Sequence, residues 1–340
     1  MEVMTNGHNS IGRLLHRALE EVRASVVIGR NTSLSEGVNV FRAKLDLQVM
    51  NRNGYRESRT VRDRLMRKHA SVLKYLESLL GDYMDSYDFH APLSAVSEGM
   101  DSKLWMCWWQ GLDYAPRIVQ VCVESVRRHS GGREVVIITE DNVDAYVQFP
   151  DWVMEKVRRG IMSRTNLSDL LRLSLLAKYG GLWLDATFFC CGDLTGSVYD
   201  APLFSIKRRE YLHGSIASGY FAGYSLGCDA EHRRIFASAR DLFLEYWRRK
   251  DFLIDYLLID YIIALVEKKD GWTQASFDAI EPNNPMCDEL FKMLNYPFDE
   301  EIWKQLKVNT DLFKLSWKQK YFTENNDKIT FFEKIIEEKL

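Results

Sequence analysis

None of the six cysteines stands in a CxxC pair or at a metal-ligand spacing. That removes both a zinc module and a disulfide scaffold as the organising principle. Cys107, Cys122, Cys190, Cys191, Cys228 and Cys287 read as reduced core thiols of a cytosolic protein. No apolar run is long enough to cross a bilayer. The most apolar stretch, DFLIDYLLIDYIIALVEKK, is broken by Asp255 and Asp260. No apolar segment follows a basic start, so a signal peptide is not expected. No global excess of positive charge exists either: the net charge is -3, and nothing draws the chain to nucleic acid. Repeats and low-complexity tracts are absent.

What is present is a chain of 340 residues, 46% hydrophobic, enough for one large domain or two smaller ones. Its charge is uneven. NRNGYRESRTVRDRLMRK, residues 51–68, carries seven Arg or Lys against two acids. This segment reads as a solvated helix face or as a patch for an anionic surface such as lipid headgroups. Residues 11–30 and 57–80 show helical periodicity, with a polar stretch containing Gly and Asn between them. Residues 1–100 are therefore taken as a helical N-terminal region.

The pattern changes at Lys103. KLWMCWWQG reads as a buried strand, followed by a helix opened at Pro116. EVVIITEDN is a second buried strand and FPDWVMEKVRRG a short helix. SRTNLSDLLRLSLLAKYGG is a strong helix with N-cap candidates Ser163, Thr165 and Ser168 and a stop at Gly180. LWLDATFF is a third strand. Strand and helix alternating in this way mean an α/β unit with a largely parallel sheet. After residue 230 the chain turns mostly helical.

One carboxylate, Asp185, interrupts the third apolar strand. Desolvating it is costly, so it must lie where the strand leaves the core or have a partner. Ligands of open α/β sheets bind beyond the carboxyl ends of the strands, and Asp185 is near that end. With Thr187 two residues on, the expectation is two oxygens on one side of an extended chain, suited to Mn²⁺ or Mg²⁺. Asp169 and Arg172 are three apart and share a helix face. In KLWMCWWQG, Trp108 and Trp109 face opposite sides of the strand. Asp255 and Asp260, read on one helix, point about 140° apart.

SDLLRLSLLAKYGGLWLDAT resembles the signature of the capsular polysaccharide synthesis glycosyltransferases, relatives of the mannosyltransferase and clostridial toxin group. WWQGLDYAPRIVQVCVESVRRH and FKLSWK resemble their first strand and helix and their C-terminal loop. The resemblance covers roughly residues 103 to 320. It implies a glycosyltransferase-A fold, Rossmann-like with a mostly parallel sheet, over residues 101–340 with helical additions at both ends. It also implies a nucleotide-sugar donor, with UDP the commonest base, and a retaining transfer to a glycan or lipid-linked glycan acceptor. By resemblance Asp185, Arg172 and Asp255 would be catalytic, and Asp185 and Thr187 would hold the metal. Thr187 replaces the second Asp of the family's pattern. Donor binding would involve Trp108 or Trp109 on the base, then Gly111, Asp169, Arg172, Tyr179, Gly181, Asp185, Ala186 and Thr187. Lys314, Ser316 and Lys318 would close on the diphosphate. HGSIASGYFAGYSLG, residues 213–227, is a candidate acceptor segment. The expected location is the cytoplasm, with a peripheral membrane contact through the basic N-terminal region. A toxin-like protein glycosyltransferase and a silent nucleotide- or glycan-binding module are the alternatives.

Overall fold

The computed structural model describes residues 11–338 apart from 53, 55, 97, 98, 101 and 210. Three helices open the chain: α1 (Ile11–Asn31), α2 (Leu34–Arg52) and α3 (Arg59–Ser86). The middle one was read from the sequence as a polar connection. It is hidden because its apolar residues lie all round. Val40 and Ala43 are buried while Leu34, Val38 and Leu45 are exposed, so no single stripe emerges. α1 and α2 cross closely where Gly29 meets Gly37; a Cβ on Gly37 would stand 2.9 Å from the Gly29 Cα.

The α/β part follows the expected alternation. It runs β1 (Leu104–Cys107), α4 (Arg117–Arg128), β2 (Val135–Ile138), α5 (Asp151–Arg158), α6 (Arg164–Tyr179) and β3 (Gly181–Leu184). Then come β4 (Phe188–Cys190), β5 (Leu203–Ser205), β6 (Ser225–Cys228), α7 (Arg233–Arg249) and α8 (Leu258–Lys269). The chain continues through α9 (Gly271–Asp278), α10 (Glu289–Met293), α11 (Glu300–Leu306) and β7 (Leu312–Lys314). The central sheet has the order β2-β1-β3-β6-β5. β1 is parallel to both β2 and β3, whereas β6 is antiparallel to β3 and to β5. Four of the five strands therefore point one way, an arrangement consistent with a glycosyltransferase-A-like core.

Strand alternation splits the core in two. Trp105 and Trp183 face one side, packed with α6, α7 and α8; Leu104, Met106, Leu182 and Leu184 face the other, packed with α4, β4 and β7. LWLDATFF is not one strand. It ends at Leu184, turns through Asp185 to Thr187, and resumes as β4, which pairs with β7 in a separate two-stranded sheet. Asp185 thus sits at the break between two sheets.

The N-terminal helices are tied to the α/β part by buried charge. Lys68 of α3 meets Asp255 at 2.8 Å, both almost fully buried. Burial alone would raise the Asp255 carboxyl, but Lys68 and Lys44 outweigh it and hold the carboxyl at about 2. His69, next in sequence, reaches Tyr261 Oη at 2.6 Å and the His213 carbonyl at 2.9 Å. A carbonyl only accepts, so Nε2 carries the proton there and Nδ1 accepts from Tyr261 when the ring is neutral.

Removing one member of such a pair strands the other charge. Lys68→Met should cost about 3–5 kcal/mol of unfolding free energy, and Lys68→Met with Asp255→Leu should recover most of it. Chemical denaturation checks both. A loss within 0.5 kcal/mol for the single variant, on the order of surface substitutions, would contradict the role given to the pair.

Candidate active site

α6 delivers the first part of the site. It starts at Ser163, whose hydroxyl accepts from the Asn166 backbone N–H at 3.2 Å. It is packed on both sides, against the sheet and against α7, so most of its residues are buried, Asp169 and Arg172 among them. Gly180 and Gly181 follow with φ of +77° and +84°. Two successive left-handed residues turn the chain from helix into β3, a conformation glycine adopts without steric cost.

Parallel pairing sets the level of the next groups. Trp105 stands opposite Trp183 in the β1–β3 register, which puts Cys107 level with Asp185 and Trp108 just beyond. Trp183 donates from Nε1 to Asp185 Oδ1 at 3.1 Å. Arg172 reaches the same oxygen at 3.3 Å and Asp169 Oδ1 at 3.2 Å. Its guanidinium also donates to the Gly223 carbonyl and lies over the Trp183 ring at 5.2 Å. Its Nε is buried without a hydrogen-bond partner.

The other half arrives from β7. Lys314 stands opposite Phe188 in the β4–β7 register. Its ammonium lies 3.1 Å from Asp185 Oδ2 and 2.5 Å from Thr187 Oγ1. The side chain of Asp185 remains 27% exposed, so the cluster opens to solvent. Burial pushes the Asp185 carboxyl up, but Lys314 and Arg172 together hold it below the ordinary carboxylate value. Asp169 shows the reverse. Burial, with Asp185 and Asp260 nearby, outweighs Arg172 and raises its carboxyl to about 7. Burial likewise raises Asp260 to about 6, against the hydrogen bond from Ser215 at 2.7 Å. A Cβ at Gly223 would stand 2.5 Å from Asp260 Oδ1, so the segment expected on the acceptor side packs directly against this carboxyl.

Asp169, Arg172, Asp185, Thr187 and Lys314 are thus brought together, with Ala186 buried in the turn between Asp185 and Thr187. Trp108 is half-buried and meets Trp317 edge to face at 5.5 Å, whereas Trp109 is buried and donates to Ser168 Oγ at 2.8 Å. Gly111, with φ of +80°, has open space beside it. Ser316 accepts from the Lys318 backbone N–H at 3.2 Å, and Lys318 is exposed. Trp317 escaped the sequence reading although it stands inside the quoted FKLSWK; an aromatic between two flagged polar residues was the available signal.

Three expected residues lie elsewhere. Tyr179 and Gly181 are at the amino end of β3, opposite Asp185; Tyr179 stacks on Trp105 at 5.5 Å and binds the Tyr146 carbonyl at 3.0 Å. Asp255 is not in a helix shared with Asp260. α8 begins at Leu258, and Asp255 caps the preceding turn by accepting from the Leu257 N–H at 3.1 Å. The 140° separation therefore does not apply, and both carboxyls are buried. Asp260, not Asp255, lies on the Arg172 side.

The expected divalent metal fits this donor set poorly. Hard cations of this kind take about six oxygen ligands. Asp185 Oδ2 and Thr187 Oγ1 are both engaged by one ammonium, and Asp185 Oδ1 by Arg172 and Trp183. Among the described residues no group of three or more His, Cys, Asp or Glu is placed to hold a metal ion.

Compared with known families, residues 52–335 match the model of the family described as "Capsular polysaccharide synthesis protein". The chain belongs to that family. The match begins at residue 52, so α3 falls inside it, well ahead of the motifs at residue 103. No curated protein matches significantly. Among solved structures, one described as the apo form of the bifunctional glycosyltransferase WbbM aligns with a TM-score of 0.38 and 9% identity, over 93% of this chain and 70% of the other.

The raised Asp169 carboxyl has a consequence for stability. Folded, it keeps its proton to about pH 7; unfolded, it loses it near 3.8. Folding takes up a proton between those values, so this group's contribution falls as pH rises through that window. Asp169→Asn should gain stability relative to the parent protein between pH 4.5 and 7.5, read as a growing difference in denaturation midpoint. A difference that stays constant with pH would refute the assignment.

Proposed function

We propose that this protein is a glycosyltransferase of capsular polysaccharide synthesis that transfers a sugar from a nucleoside-diphosphate donor, UDP-linked in the first instance, to a glycan or lipid-linked glycan. The observation carrying this reading is the shared cluster of Asp169, Arg172, Asp185 and Lys314 at the carboxyl ends of β1 and β3, beside the Trp108–Trp317 pair. Each part has a task that suits its chemistry. The aromatic pair offers a stacking face for a base. Lys314 and Lys318 offer positive charge to the diphosphate and to the leaving nucleotide as its charge grows. The buried Arg172–Asp169 pair lies behind this surface, where Arg172 fixes Asp185 and the Gly223 carbonyl in place for the donor sugar. In this reading the acceptor enters past residues 213–227 and attacks on the face the nucleotide leaves, which retains the anomeric configuration.

The lipid side of the proposal rests on α1 and α2. Leu19 and Leu34 are 68% and 82% exposed, with Val38, Phe41, Leu45 and Val49 exposed along α2. Beside them the exposed Arg30 and Arg42 have no ion-pair partner among the described residues. Within residues 51–68, Lys68 and Arg64 are spent on Asp255 and Asp46, while Arg56, Arg59, Arg62 and Arg67 are exposed. Exposed apolar residues with exposed arginines beside them suit the surface of an anionic bilayer. No helix among the described residues is long and apolar enough to cross one.

Thermal denaturation against UDP, GDP, CDP and ADP and their sugar conjugates tests the donor. One diphosphate at a hundred times its Kd should stabilise by about 2.7 kcal/mol, a rise of about 5 °C, and Trp317→Ala should reduce it. No shift with any of them would overturn the reading. For the membrane contact, co-sedimentation should be seen with vesicles containing anionic lipid, be weaker with neutral ones, and be lost in Leu34→Glu/Val38→Glu. Equal recovery of parent and variant would refute it.

A further inference from the structure

We propose that Lys314 is the built-in counter-ion of the donor diphosphate, occupying the place where a divalent metal would otherwise sit, so that donor binding needs no metal. This rests on the nucleotide-sugar reading above and makes it specific. The two oxygens best placed as metal ligands, Asp185 Oδ2 and Thr187 Oγ1, are bridged by one ammonium at 3.1 and 2.5 Å. The remaining Asp185 oxygen is taken by Arg172 and Trp183. Nearby carboxylates do not make up the set, because Asp169 is turned to Arg172 and Asp260 to Ser215. A dication placed here would stand beside two fixed cations and compete with Lys314 for Asp185 Oδ2.

The lysine is held by backbone as well as by charge. It is the last residue of β7, opposite Phe188, and its N–H donates to the Cys287 carbonyl at 2.8 Å. Its ammonium lies 5.6 Å from the centroids of both the Phe188 and Tyr224 rings. Swinging it away would mean leaving both aromatic faces and both oxygens. An ammonium has three N–H donors, and Asp185 and Thr187 use two. The third is available to a phosphate oxygen, and the side chain is 21% exposed, so a ligand reaches it. Thr187 gains a reason in the same step. A second carboxylate at that position would neutralise the ammonium; a hydroxyl positions it and leaves positive charge for the phosphate.

The test is isothermal titration of the full chain with UDP, GDP, CDP and ADP, each in excess EDTA and in Mn²⁺. The expected result is one diphosphate bound with affinities in EDTA and Mn²⁺ that agree within threefold. In EDTA, Lys314→Met should weaken that binding at least tenfold, while Lys314→Arg, which keeps the charge, should stay within a few-fold of the parent. Binding to the parent that requires Mn²⁺ overturns this inference and leaves the glycosyltransferase reading intact. Unchanged affinity in Lys314→Met overturns it too. No binding of any diphosphate in either buffer overturns both readings. The EDTA comparison uses the parent protein alone and is decisive even if Lys314→Met does not fold.

Discussion

One guanidinium holds the site together. Arg172 is buried, so its charge needs partners within the protein. It is met by Asp169 from its own helix, by Asp185 from the end of β3, by the carbonyl of Gly223, and by the face of Trp183. These come from three separate stretches of chain. The position of Gly223, the orientation of Trp183 and the level at which β3 stops all follow from the need to surround this one group. Asp185 in turn passes the order on, because its second oxygen holds Lys314.

A second buried cation does the same for the N-terminal helices. Lys68 anchors α3 to the turn before α8, and His69 reaches the backbone at His213, two residues before Ser215, the partner of Asp260. The helices that precede the α/β part are therefore continuous with the wall of the site. Their outer faces, not their inner ones, carry the exposed apolar residues.

Where a signal was local, the sequence was legible. Ser163, the run of leucines and Gly180 delimit α6; the three-residue spacing of Asp169 and Arg172 puts them on one face; the apolar run after Gly181 marks β3. Where the cause was distant, it was not. Nothing near Asp185 announces that β4 will leave the central sheet, since its partner β7 begins at Leu312. Asp255 could not be separated from Asp260 on a helical wheel because the residue that settles its place, Lys68, lies in another part of the chain. Tyr179 and Gly181 share a motif with Asp185, yet a four-residue strand carries them to opposite ends of the sheet. α2 was missed because apolar residues on all its faces erase the period that marks a helix.

The break of the strand at Asp185 has a consequence for how the protein comes into being. Asp185 and Lys314 are separated by 129 positions. A chain emerging in order can complete α6, β3 and the Arg172 cluster while the C-terminal part is still unmade. Until β7 arrives, Asp185 and Thr187 face solvent without their lysine, and β4 presents an unpaired edge. The protein therefore becomes competent late in its own synthesis, because both the lysine of the site and part of the core that covers one face of the central sheet come from the last part of the chain.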